Sequence, residues 1–425
     1  MDTIFALSSG SPPAAIAVMR ITGPDAGSAV KALAGSLPQP RHASLRTLAG
    51  ADGQVLDRAL VLWFPGPASA TGEDCAELHL HGGRAVVTVV EQALATLPGL
   101  RKAEPGEFTR RAFANGRLDL AEAEGLADLL EAETELQHRA AMSAVGGVIS
   151  RKVHGWRERA LTLSATVESI LDFSDEDDVS ELPQSFREDV SALAGEIAAE
   201  LDAPRAERMR DGYRVVLAGP PNAGKSSLFN ALIGEDVAIA LASPGTTRDV
   251  LERPVSIRGV PVVFSDTAGL RDDVADEAEG IGISKARDQL AKADLVLWLG
   301  PEGEGPTGAW EVEPKADLPD TPRKSAADVV VSARTGRGVE DLLLRIAEQA
   351  GSSLVPAQGR NAWNERQRAH LVVARGALER AEDGSDLLLV AENLRECLSA
   401  CDAILGLKST EAMLDHLFGR FCIGK

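Results

Sequence analysis

The sequence predicts a multidomain α/β protein in which a parallel-sheet domain interrupts a helical one. Three observations carry that prediction. The 425 residues amount to two to four domains at ~150 residues each. Residues 212–350 alternate strand and helix patterns, the signature of a parallel sheet. The stretches on either side, 118–211 and 351–425, share an Ala/Glu/Leu-rich helical texture, as expected of two arms of one helical domain with the 212–350 unit inserted between them. Hydrophobic residues at 44% and charged residues at 25% exclude wholesale disorder.

Each element has its own signal. Residues 1–117 mix short apolar runs with Gly/Pro turns. Residues 15–21 and 59–64 read as strands, the alternating run 75–81 as another, and 86–97 as a helix, so this segment is a compact α/β unit. Leu163, Val167, Ile170 and Leu171 fall on one helical face. An acidic run follows (Asp172, Asp175, Glu176, Asp177, Asp178) and reads as a solvated loop, after which helix continues to about residue 210. Helical texture returns at 361–418, with Leu387, Val390, Leu394 and Leu398 as a second stripe.

Composition excludes several functions. Lys and Arg number 44 against 64 Asp and Glu, a net charge of −20. A chain this acidic does not bind nucleic acid by bulk electrostatics, so an RNA contact needs a local patch or a partner. Arg101, Lys102, Arg110, Arg111 and Arg117, against Glu104 and Glu107, are the candidate patch, with an ordinary solvated surface as the favoured alternative. Four scattered cysteines (Cys75, Cys397, Cys401, Cys422) make no disulfide framework and suggest reduced thiols. No apolar run reaches the ~18 residues of a membrane helix. The chain opens Met1-Asp2, with Arg20 its first basic residue, so no signal peptide is read and a cytoplasmic location is expected.

Chemistry concentrates in the inserted segment. Gly219-Pro-Pro-Asn-Ala-Gly-Lys225-Ser226 matches G-x-x-x-x-G-K-[ST], with a strand at 214–218 before it and a helix at 226–233 after it. Backbone amides over Asn222, Ala223, Gly224, Lys225, Ser226 and Ser227 would wrap phosphates at the helix N-terminus. Lys225 would neutralise the β/γ-phosphates, and the Ser226 hydroxyl would ligate Mg²⁺. Thr246 and Thr247 follow about twenty residues on, where a hydroxyl can complete the Mg²⁺ shell. Asp266, Thr267, Ala268 and Gly269 end the strand at 260–265; Asp266 can hold the metal through water and the Gly269 amide can bind the γ-phosphate. Lys315 and Asp317 supply the base contact, since a carboxylate there accepts both N1–H and N2–H of guanine, a donor pair adenine lacks. Ser332 and Ala333, with Arg334, follow the strand at 328–331 and can meet the guanine oxygen. Four elements in this order specify GTP. Leu270 follows Gly269, so no glutamine orients the attacking water; Asp272, Asp273, Glu277 and Glu279 are the candidates.

Two cysteine patterns remain. Cys75, Glu77, His79 and His81 alternate onto one strand face, which reads as a pocket wall, with Zn²⁺ as the alternative. Cys397 and Cys401, at i and i+4, read as small core residues.

Together these residues resemble the MnmE (TrmE) family of bacterial tRNA-modification GTPases over essentially the whole chain. The motifs that carry the resemblance are Asp2-Thr-Ile, the run 71–83, the run 105–113, the run 115–124, Gly245-Thr-Thr-Arg-Asp249, Asp266-Thr-Ala-Gly-Leu-Arg271 and Phe421-Cys-Ile-Gly-Lys425. The resemblance implies an N-terminal domain that dimerises and binds a one-carbon donor, 5-formyl- or methylene-tetrahydrofolate, through Arg20, Glu77, Arg117 and Lys425. It implies a homodimer that forms a heterotetramer with the FAD-dependent MnmG. That complex adds a carboxymethylaminomethyl or aminomethyl group to carbon 5 of the wobble uridine of certain tRNAs, without a membrane. It further implies a K⁺ site from Asn222, Leu241, Ser243 and Thr246, a water-orienting Glu279, and a Cys422 needed for modification. K⁺ there would offset charge developing between the β- and γ-phosphates.

Four departures from the family pattern matter. Pro314 stands where the guanine motif has asparagine. The stretch 299–310 is short and Gly/Pro-rich where such domains usually carry a helix, so that helix is expected to be lost. Residues 9–15 lack the usual Gly/Arg-rich loop, and Arg117 stands where lysine is common. Two other readings share many of these residues: a regulatory GTPase switch of the ribosome-assembly type, and a folate-binding scaffold with a weakened GTPase domain.

Overall fold

The computed structural model describes residues 2–172, 182–234, 238–240, 252–266, 289–319, 323–355, 361–408, 411–419 and 421–424. The chain forms two compact units. One comprises Met1–Ala127, Ala144–Gly155 and Cys401–Lys425; the other comprises Asp128–Ser143 and Trp156–Ala400. The helical segments expected at 118–211 and 351–425 thus contribute to both.

The first unit is built on a six-stranded sheet of β1 (Thr3–Leu7), β2 (Ile16–Thr22), β3 (Ser44–Ala49), β4 (Val55–Phe64), β5 (Cys75–His81) and β6 (Leu100–Lys102), ordered β3-β4-β5-β2-β1-β6. All neighbours are antiparallel except β1 and β6. Helices α1 (Ala26–Ala34) and α2 (Arg84–Ala95) contribute Val30, Leu33, Val90 and Leu94 to the core on one face. Alternation in β5 sends Ala76, Leu78 and Leu80 into that core, which puts Glu77 and His79 on the opposite face. Strands β1, β3 and β6 and helix α1 carry weaker patterns than the elements read from sequence; β1 is held by pairing with β2, β3 by pairing with β4, β6 by pairing with β1, and α1 by packing on β3 and β5.

The rest of this unit docks the chain's C-terminal end. Helix α3 (Glu107–Ala114) and the start of α4 (Leu120–Glu131) meet the last helix, Glu411–Phe418. Leu120, Ala123 and Ala127 bury against Leu417, Phe418 and Phe421, and Phe113, Phe418 and Phe421 form a chain of tilted rings 6.1 Å apart.

In the second unit the two helical arms do meet. Helix α7 (Gln184–Leu201) packs on the helix Glu365–Asp383. Trp156, on α6 (Val148–Asp172), stacks on the fully buried Trp363 with centroids 5.7 Å apart. The buried Glu200 carboxylate accepts from the Trp363 indole at 2.8 Å and from the Asn361 amide at 3.1 Å. Arg368 donates to the carbonyls of Leu201 and Ala203 that end α7. Leu163, Val167 and Ile170 are buried as expected. The second stripe is shifted from the expectation: in the helix Leu387–Leu405, Leu387 and Leu398 are half-buried, and the buried line runs Val390, Leu394, Cys397, Cys401. Both cysteines are core residues. The acidic residues 175–178 lie outside the described residues.

Between the arms sits a seven-stranded sheet: β7 (Tyr213–Ala218), β8 (Ala238–Ala240), β9 (Glu252–Ile257), β10 (Val260–Asp266), β11 (Leu295–Trp298), β12 (Trp310–Glu313) and β13 (Val329–Val330), ordered β13-β12-β11-β7-β10-β9-β8. The first five in that order are parallel, and β9 and β8 add an antiparallel edge. Helix α9 (Lys225–Gly234) and the helix Val339–Leu354 supply Leu228, Leu232, Leu342 and Ile346 to a core around Val215, Leu217, Phe264 and Leu297. The expected loss of a helix between β11 and β12 is what is seen: residues 299–309 are turns. The Trp298 indole lies over this stretch, donating to the Pro301 carbonyl at 2.8 Å, and a side chain at Gly300 or Gly305 would collide with its ring.

Candidate functional site

The parallel strands deliver the sequence-predicted residues to one edge of the sheet. β7 ends at Ala218 and runs into the loop 219–224; β10 ends on Asp266; β12 leads into Pro314–Asp317; β13 leads into Ser332–Arg334. All are carboxyl ends, the place where open parallel sheets bind ligands. The loop turns through Asn222, which holds a positive φ of 62°, and α9 starts at Lys225, so backbone amides gather at a helix N-terminus. The Lys225 ammonium is buried and reaches the carbonyls of Gly219 at 3.0 Å and Pro220 at 2.9 Å. The Ser226 hydroxyl donates to Asp266 Oδ2 at 2.7 Å. This hydroxyl–carboxylate pair from two elements is a hard-oxygen donor set that fits Mg²⁺.

On the base side, the Ser332 hydroxyl donates to Asp317 Oδ1 at 2.6 Å, and Arg334 Nε lies 2.9 Å from Oδ2. The Ser332 bond, with Arg334's charge, holds the Asp317 carboxyl below the ordinary range, so it is an acceptor at neutral pH, as guanine recognition requires. Lys315 sits at φ 55° and its Nζ donates to the Asn222 carbonyl at 2.6 Å, tying the base loop to the phosphate loop. That tether was not foreseen, because a left-handed lysine has no signature in sequence. Leu241, Ser243, Thr246, Thr247, Thr267, Ala268, Gly269 and Glu279, with the other acidic candidates Asp272, Asp273 and Glu277, lie outside the described residues.

In the first unit, Arg20 and Glu77 are cross-strand neighbours on β2 and β5. Arg20 donates to Glu77 Oε1 from Nη2 at 2.9 Å and from Nε at 3.1 Å; His79 Nε2 lies 3.3 Å from Oε2. Burial pushes the Glu77 carboxyl up, but Arg20 and His79 outweigh it and hold it below the ordinary range. Phe108 lies under the Arg20 guanidinium at 5.8 Å. A carboxylate fixed on a half-buried sheet face can accept two N–H donors from a pterin-like ring, so this donor set fits a folate. Burial pushes the Cys75 thiol up to about 12, so it is a protonated wall residue at neutral pH. His81 pairs with Asp57 at 2.7 Å, and among the described residues no group of three or more His, Cys, Asp or Glu side chains is placed to hold a metal. Arg117 is exposed, its stem beside the 71–74 loop. Lys425 lies outside the described residues, but Gly424 next to it is docked: its carbonyl accepts from the Ser8 hydroxyl at 2.8 Å, and Ile423 bridges Pro105. Cys422 is exposed between these anchors.

The candidate basic patch is mostly neutralised. Arg101 pairs with Asp2 and Glu107, Lys102 with Glu91, Arg110 with Glu411 and Asp415, and Arg111 with Asp2 and Glu73. These charges fasten the N-terminal strand and the last helix, so sequence proximity overstated the patch.

A parallel sheet with this loop, a metal-side Ser/Asp pair and a base-side carboxylate defines a P-loop GTPase domain. The family model described as "MnmE helical domain" matches residues 120–422, and "GTP-binding protein TrmE N-terminus" matches residues 3–117. The tRNA modification GTPase MnmE of Erythrobacter litoralis (strain HTCC2594) is 59% identical over 425 residues, with 100% of each chain covered. That of Novosphingobium aromaticivorans is 58% identical over 436 residues, and that of Zymomonas mobilis subsp. mobilis 46% over 438, again with 100% of each chain covered. The chain belongs to the MnmE (TrmE) family.

Proposed function

We propose that this chain is a GTP hydrolase of tRNA modification, and that K⁺ and a flavin-dependent partner complete its activity. The observation that carries the reading is the convergence of the loop 219–226, Asp266, Asp317 and Ser332 at one sheet edge. The amides of residues 222–227 and the Lys225 ammonium hold the triphosphate. Ser226 and Thr247 ligate Mg²⁺, which supplies charge neutralisation between the β- and γ-phosphates when bound. Asn222 would contribute its side chain, and Leu241 and Ser243 their backbone carbonyls, in a loop ending at Thr246, to a K⁺ ion. Glu279 orients water, Asp317 reads guanine, and Ser332, Ala333 and Arg334 close over the base.

Arg20, Glu77, Arg117 and Lys425 hold the tetrahydrofolate donor, with Cys422 close by in the docked tail. The sheet face opposite α1 and α2 exposes Ile16, Leu45 and Leu60, an unpartnered apolar surface that supports dimerisation through this domain. Among the described residues no helix is long and apolar enough to cross a membrane. The product is a wobble uridine carrying a carboxymethylaminomethyl or aminomethyl group at carbon 5. Nucleoside digests of tRNA from cells lacking this chain should lose that nucleoside; an unchanged wobble uridine profile would refute the reading.

A further inference from the structure

Pro314 removes a side chain from the guanine loop. It offers no carboxamide and no N–H, so the loop carrying Lys315 and Asp317 needs another brace. The structure supplies one that begins at the preceding residue. Glu313, 4% exposed at the end of β12, accepts from Arg323 Nη1 at 2.6 Å through Oε1 and from the Lys324 backbone N–H at 3.0 Å through Oε2. It therefore holds the returning strand of the same loop by side chain and backbone at once. Lys324 is buried in turn, and its Nζ donates to the Trp298 carbonyl at 2.9 Å and to Glu311 Oε2 at 2.6 Å. Glu302, in the turns that replace the lost helix, accepts from the backbone N–H of Ser325 at 2.6 Å and of Ala326 at 3.0 Å. Three carboxylates thus fasten residues 323–326 to the flank where the helix is missing.

A buried carboxylate with two charge-assisted or backbone donors is held firmly, because leaving any of these groups unpaired costs its full desolvation. Solvated surface ion pairs would not do this. The clasp closes the base of the loop whose far side presents Asp317 to Ser332. Neither departure is repaired at the position where it occurs; both are spanned by the same acidic residues.

We propose that Glu313 is a positioning residue for guanine specificity: by clasping Arg323 and Lys324 it sets Asp317 for the base in place of the missing asparagine. This rests on the guanine-site reading above. The experiment is steady-state turnover of GTP and ITP, which lacks the 2-amino donor, by the full chain and by Glu313→Gln. The wild-type chain should prefer GTP. The variant should raise KM for GTP about tenfold, the loss of one charged hydrogen bond, with a smaller rise for ITP, so the preference shrinks. Adding Pro314→Asn to Glu313→Gln should restore the preference. If Glu313→Gln fails to fold, the half-exposed Arg323→Ala carries the same test. An unchanged GTP/ITP ratio, or equal losses for both nucleotides, would overturn the clasp alone. A wild-type chain with no preference for GTP would instead overturn the guanine site itself.

Discussion

At the scale of single residues, the site depends on charges held in fixed places. Glu77 is the clearest case. Its folded-state pKa lies below the ordinary carboxylate value, because Arg20 and His79 outweigh burial. The stabilisation from this pair is therefore fully present above the ordinary carboxylate range, and it fades as pH falls through the lowered value. Glu77→Gln should cost about 1–3 kcal/mol at neutral pH, and that difference from wild type should close in acid. Urea unfolding of both proteins across pH checks this; a difference that persists at low pH would contradict it. Much at this scale was legible in the sequence. Lys225, Ser226, Asp266, Asp317 and Ser332 were named there because phosphate and base chemistry demand those residue types at those spacings; Arg20 and Glu77 were named only through the resemblance to the MnmE (TrmE) family. Lys315's tether to Asn222 and the Phe108 ring under Arg20 were not, since backbone handedness and packing across elements leave no local trace.

At the scale of elements, the C-terminal tail is held by contacts on both sides of Cys422. Gly424 holds a positive φ of 96°, and a Cβ there would lie 2.1 Å from the Leu7 carbonyl oxygen. No side chain fits without lifting the strand-like tail from β1. Gly424→Ala should release Cys422 from its anchors at Gly106 and Ser8. Cys75, Cys397 and Cys401 are buried, so thiol labelling of the native protein reads Cys422 alone. Its alkylation rate should rise in the variant, by about threefold or more if local opening governs access; an unchanged rate would mean the tail is held elsewhere. Strong periodic elements were read correctly from sequence, and short ones such as β1, β6 and α3 were not. Their apolar residues are too few to make a pattern, and they form because β1 pairs with β2, β6 pairs with β1, and α3 packs on the last helix. The helix stripe at 387–398 shifted toward the cysteines for a related reason: cysteine packs as a small apolar residue, so the buried face includes it.

At the scale of the whole molecule, charge and domain order set what the chain does alone. With a net charge of −20 and four of the five residues of its candidate basic patch paired internally, it has little to offer RNA by bulk electrostatics. The nucleotide domain is inserted between helical arms that meet at Trp156 and Trp363. The insertion was legible because the two flanks share a texture that the middle lacks. The partition of the flanks between two compact units was not, because it depends on which faces bury together.

We propose that this chain hydrolyses GTP with an alkali cation completing its phosphate site. GTP turnover by the purified chain, in K⁺ and in Na⁺ at equal ionic strength, tests it most directly. The account predicts turnover at least about tenfold faster in K⁺, the size expected when a positive charge is supplied to the developing β/γ oxygen. Equal and negligible rates in the two salts would contradict it.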